Sequence, residues 1–71
     1  MNNLTLKDKG TPKEMRARIL NLITVFENGY FSPAEFSDIA LRIVEQYDAH
    51  PEAQVEMLQA LNNFADRVLA A

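Results

Sequence analysis

The side chains best equipped for chemistry sit close together in this sequence: Asp48, His50 and Glu52. A carboxylate, imidazole, carboxylate trio can hold a divalent metal weakly at a surface. Pro51 divides the trio, and acidic residues near a helix N-terminus are expected from the helix dipole alone. His50, the single histidine of the chain, reads as a capping or loop residue. Ser32 has no activating base near it in sequence, and a capping role accounts for it. The absence of cysteine removes thiolate zinc sites, cysteine nucleophiles and disulfide scaffolds together. There is no phosphate loop, dinucleotide fingerprint or paired-histidine zinc motif. The expectation is a chain without catalysis, cofactor, metal or small-molecule substrate.

One stretch imitates a calcium site. Asn28-Gly29-Tyr30-Phe31-Ser32-Pro33-Ala34-Glu35-Phe36 matches the second half of an EF-hand loop, with Glu35 as the bidentate carboxylate. In that register the first and third ligands are Thr24 and Phe26. Phenylalanine has no oxygen to offer the ion. The same residues are explained by a glycine stop, a hydrophobic staple and a capping box, so no calcium site is expected.

Charge is unevenly spread. Residues 1–18 carry Lys7, Lys9, Lys13, Arg16 and Arg18 against Asp8 and Glu14, a balance of +3. Residues 19–71 carry two arginines against eight carboxylates, a balance of -6, which gives the net charge of -3. A basic arm can touch a phosphate backbone, so a nucleic-acid-associated regulator using those five cations is the alternative reading. Against it stand a pI of about 4.9 and the absence of aromatic residues interleaved with the basic ones. A recognition-helix comparison for residues 33–48 fails for a related reason. Its exposed face carries Glu35, Asp38, Leu41, Arg42 and Glu45, and one arginine among three acids reads base edges poorly.

The elements behind these side chains are legible from punctuation. Thr11-Pro12-Lys13-Glu14 and Ser32-Pro33-Ala34-Glu35 each place a capping hydroxyl before a first-turn proline and a glutamate three residues on. His50-Pro51-Glu52 reads as a third start, capped by His50 or Asp48. Helices are therefore expected over 12–28, 33–48 and 51–70. Asn28-Gly29 supplies a left-handed stop, and Phe31 is spaced to staple onto Phe36.

Apolar periodicity agrees with all three helices. The expected core faces are Met15, Ile19, Leu22, Ile23 and Phe26, then Phe36, Ile39, Ala40, Ile43, Val44 and Tyr47, then Leu58, Leu61, Phe64, Ala65, Val68 and Leu69. Short connections favour antiparallel neighbours. The fold class is all-α: a three-helix domain over 11–71, with a helical hairpin, a third helix packed on it and a flexible arm over 1–10. No apolar run reaches the roughly 18 residues that cross a bilayer. With no N-terminal apolar block resembling a signal peptide, a cytoplasmic location is expected.

Filling that core leaves apolar side chains over. Leu20, Val25, Leu41 and Val55 fall off the main stripes, and Tyr30 follows the glycine stop, where it can close the turn or anchor an interface. A chain of 71 residues has a marginal core, and association commonly compensates for that. The expected function is protein–protein interaction (an adaptor, inhibitor or regulatory subunit) in a homodimer, with Leu20, Val25, Tyr30, Leu41 and Val55 as candidate interface residues. The capping boxes are general helix grammar and point to no family.

Overall fold

The computed structural model describes residues 6–70. After a 3-10 turn at Leu6–Asp8 come three helices, α1 (Pro12–Glu27), α2 (Pro33–Glu45) and α3 (Pro51–Ala70), with no strand among the described residues. All three helix starts fall on the prolines. Ser32 completes its capping box, since its Oγ accepts from the Glu35 N–H at 3.2 Å and its N–H donates to Glu35 Oε1 at 3.0 Å. That N–H donation, reinforced by the Ser32 side chain, holds the Glu35 carboxyl below the usual range. The Thr11 box is only half made. Its Oγ accepts from the Glu14 N–H at 3.4 Å, but Glu14 Oε1 accepts from the Gly10 N–H at 3.1 Å. The Thr11 N–H is already committed to the Asp8 carbonyl at 3.1 Å. From Leu6 onward the expected arm thus runs in a defined turn against the start of α1, while residues 1–5 lie outside the described ones.

The stop after α1 is a Schellman arrangement. Gly29 N–H donates to the Phe26 carbonyl at 2.9 Å and Tyr30 N–H to that of Val25 at 3.4 Å. Gly29 sits at φ +84°, a conformation open to glycine at little cost. α2 ends at Glu45, three residues before the expected 48. The chain tightens there, with the Gln46 and Tyr47 N–H groups reaching the Ile43 and Val44 carbonyls at 3.1 Å each. The Gln54 side chain also donates to the Val44 carbonyl at 2.9 Å, so α3 joins the tightened turn in satisfying the helix end. His50 is the backbone cap of α3, its carbonyl accepting from the Gln54 N–H at 3.0 Å.

Met15, Ile19 and Leu22 of α1 and Phe36, Ala40, Ile43, Val44 and Tyr47 of the α2 region form the buried core, as periodicity requires. Phe26, Phe36 and Phe64 join the three helices, with ring centroids 4.6 Å apart for Phe26–Phe36 and 5.5 Å for Phe36–Phe64. α3 corrects the expectation. It packs on the core through Ala53, Met57, Leu61 and Phe64, while Leu58 and Val68 stay 36% and 39% exposed. α3 is apolar over an arc wider than the α1–α2 hairpin can cover, so one edge of its expected stripe turns outward. None of its described side chains is fully buried. Stability of local opening follows buried contact. In native-state hydrogen exchange, amides of α3 are therefore expected to exchange fastest among the three helices, and equal protection across them would contradict this packing.

Candidate interaction surface

The outward edge of α3 and one flank of α2 enclose a groove of about 220 Å³. Phe26, Phe36 and Phe64 line it, Leu41 stands on the α2 wall, and Leu58, Ala65 and Val68 stand on the α3 wall. Leu41 is 45% exposed. The polar side chains facing the space are Ser37 and Asn62. Pocketed small molecules usually occupy about 300–1,000 Å³, so this groove is suited to a few side chains.

Of the five expected interface residues, Leu41 alone lines the groove. Val55 is exposed one helical turn before Leu58 and extends the α3 wall. Leu20, at 62% exposure, stands on α1, and Tyr30, at 76%, projects from the turn, so neither joins the groove lining. The exposure of Tyr30 decides between its two expected positions: its ring does not close the turn, which the backbone does alone. Val25 is half-buried. Periodicity puts Leu58 and Val68 in the core, and the signal that separates them is the apolar run Ala53, Met57, Leu61 and Phe64, which overlaps the expected stripe at Leu61 and Phe64 only.

The basic residues take varied positions. Lys13 pairs with Asp8 at 3.7 Å. Lys7, Lys9 and Arg16 are exposed. Arg18 is drawn into the fold, its guanidinium donating to the Tyr47 hydroxyl at 3.0 Å and to Gln46 Oε1 at 2.7 Å, 5.8 Å from the centre of the Tyr47 ring. Tyr47 donates in turn to Glu14 Oε1 at 2.6 Å. This bond and then the Gly10 N–H hold the Glu14 carboxyl below its usual range against a desolvation cost, with Arg18 and Lys9 adding lesser attraction. Burial, and then the bond to Glu14, push the Tyr47 hydroxyl up. The network ties the start of α1 to the end of α2, and among the described residues no buried side-chain polar atom lacks a partner.

The residues that imitate a calcium loop have other work. Ser32 and Glu35 cap α2, Thr24 Oγ donates to the Leu20 carbonyl at 3.1 Å, and Phe26 belongs to the aromatic cluster. Among the described residues no three His, Asp or Glu side chains converge to hold a metal, the Asp48, His50 and Glu52 trio included. Nor is any described helix long and apolar enough to cross a membrane. Comparison of the chain with protein-family models, curated proteins and solved structures finds no match.

Proposed function

We propose that this chain is a small protein–protein interaction module without catalytic chemistry, an adaptor, inhibitor or regulatory subunit that acts by burying its α2–α3 groove against another protein chain. The observation that carries the reading is the groove itself, with three phenylalanine side chains among its lining and Leu41, Leu58 and Val68 left half-open around it. Apolar side chains gathered around one concave space can receive a partner's apolar side chains, which single exposed aliphatics cannot do. Ser37 and Asn62 supply no nucleophile–base pair, so nothing in the groove favours chemistry over binding. Of the basic arm, Arg18 serves the fold and Lys13 pairs with Asp8, and Lys7, Lys9 and Arg16 are the other exposed cations of the nucleic-acid alternative.

The partner is a second copy or a different protein, and sedimentation equilibrium of the 8.1 kDa chain separates these. The substitutions Leu41→Asp and Leu58→Asp together are expected to abolish self-association and partner capture while leaving helix content intact, since both side chains already meet solvent. Leu20→Asp, outside the groove, is the comparison and is expected to do less. Unchanged association in the double variant would remove the proposal.

A further inference from the structure

We infer that the groove takes an amphipathic helix with basic flanks, supplied by a different protein and not by a second copy of this chain. This rests on the preceding reading that the groove is the contact surface. Its walls give the shape. Pro33, Ser37 and Leu41 follow each other at four-residue steps on α2, and Leu58, Ala65 and Val68 extend over nearly three turns of α3. Such a trough, about 12–15 Å long at 1.5 Å per residue, accepts helical anchors spaced i, i+4 and i+7. Its volume of about 220 Å³ takes a few apolar side chains and leaves the rest of the incoming helix over the rims.

The rims give the charge. Asp38 and Glu45 lie one turn before and one turn after Leu41 on α2, and Asp66 lies one turn after Asn62 on α3, all three exposed. One cation answers them, Arg42, which holds Asp38 at 3.1 Å. Arg67 is two and a half turns from Leu58 and so falls on the opposite side of α3. Glu45 and Asp66 thus flank opposite walls, and residues 33–70, which hold α2 and α3, carry seven carboxylates against Arg42 and Arg67, a balance of -5. Lysines and arginines flanking an apolar anchor row would meet them favourably.

A second copy lacks that complementarity. Groove against groove would bring two acidic rims together, the carboxylates of one copy against those of the other. The basic face of α1, with Lys13 and Arg16, offers only Leu20 as an exposed large apolar anchor. Docking that face into a neighbour's groove pairs two different patches, and head-to-tail contacts of that kind build rings or filaments.

The test uses the full chain, isotope-labelled for amide NMR, and two synthetic amphipathic helices of about 14 residues with identical leucine anchors. One carries lysine at every flanking position, the other glutamate. The lysine peptide is expected to shift amides of residues 37–41 and 58–68 saturably, and to bind about tenfold or more tighter than the glutamate peptide at low salt. Leu41→Asp is expected to abolish those shifts, and Glu45→Lys with Asp66→Lys to narrow or reverse the preference. Equal binding of both peptides would overturn the inference about charge and leave the groove reading standing. A Leu41-dependent dimer that binds neither peptide would overturn it in favour of a second copy. Shifts confined to other surfaces, or no binding by a chain that stays monomeric, would overturn both the inference and the reading beneath it.

Discussion

Phe36→Ala is expected to cost about 3–5 kcal/mol, the usual range for truncating a buried aromatic. The ring is 7% exposed and sits at the fourth position of α2, where it meets Phe26 of α1 at 4.6 Å and Phe64 of α3 at 5.5 Å. Removing it therefore opens a void at the junction of all three helices and withdraws two aromatic contacts at once. A domain of this size has a stability of roughly 4–11 kcal/mol at 0.05–0.15 kcal/mol per residue. The loss is a large part of that, and urea unfolding followed by circular dichroism should find a strongly lowered midpoint or no folded baseline. Phe31→Ala, at a half-buried position packed on the same cluster, serves as the comparison and should cost less. If Phe36→Ala shifted stability by under about 1 kcal/mol, the aromatic junction would not be the tie between α3 and the hairpin.

How the fold announces itself differs from one element to the next. Local grammar was readable because it is local: Ser32 and Glu35 are three residues apart, Gly29 stops the helix it follows, and each proline marks a start. What failed depends on partners distant in sequence. At the end of α2 the Val44 carbonyl accepts from Gln54 as well as from the tightened turn, and helix periodicity through Tyr47 gives no sign of that bond. The face of α3 was ambiguous because two apolar ladders share that helix, and which one packs depends on the shape of the hairpin beneath. Arg18 looked like part of a basic arm because its partners Gln46 and Tyr47 lie 28 and 29 residues away.

The candidate surface was legible in one residue and hidden in the others for the same cause. Leu41 falls off the α2 stripe, so its exposure follows from periodicity. Leu58 and Val68 fall on an α3 stripe and would be core if the helix were covered on that side. Once α3 seats through Ala53, Met57, Leu61 and Phe64, the leftover apolar edge and Leu41 become opposite walls of one space. The surplus of apolar residues was visible in composition, but its location waited on the packing of α3.

Tyr47→Ala is expected to be comparably damaging, about 3–5 kcal/mol, because a side chain only 2% exposed is lost from the core. Tyr47→Phe separates the ring from its hydroxyl and should cost much less than Tyr47→Ala, because the ring stays in the core. The pH dependence then identifies the network. Glu14 is held below its usual range, chiefly by the Tyr47 hydroxyl, so its contribution is complete above about pH 4.3 and is lost as pH falls through the lower folded-state value. The Tyr47 hydroxyl is pushed up, chiefly by burial, so its contribution is complete below about pH 10 and is lost as pH rises through the higher folded-state value. In Tyr47→Phe the alkaline loss should disappear, having no hydroxyl to ionise. The acid loss should shrink, because Glu14 keeps the Gly10 N–H but loses its strongest stabilising partner. Glu14→Gln should likewise reduce the acid limb while leaving an alkaline limb from Tyr47. Combining the two substitutions should cost less than the sum of their separate effects, since they remove the same bond. Strict additivity, with both limbs unchanged in Tyr47→Phe, would show that the hydroxyl does not tie the start of α1 to the end of α2.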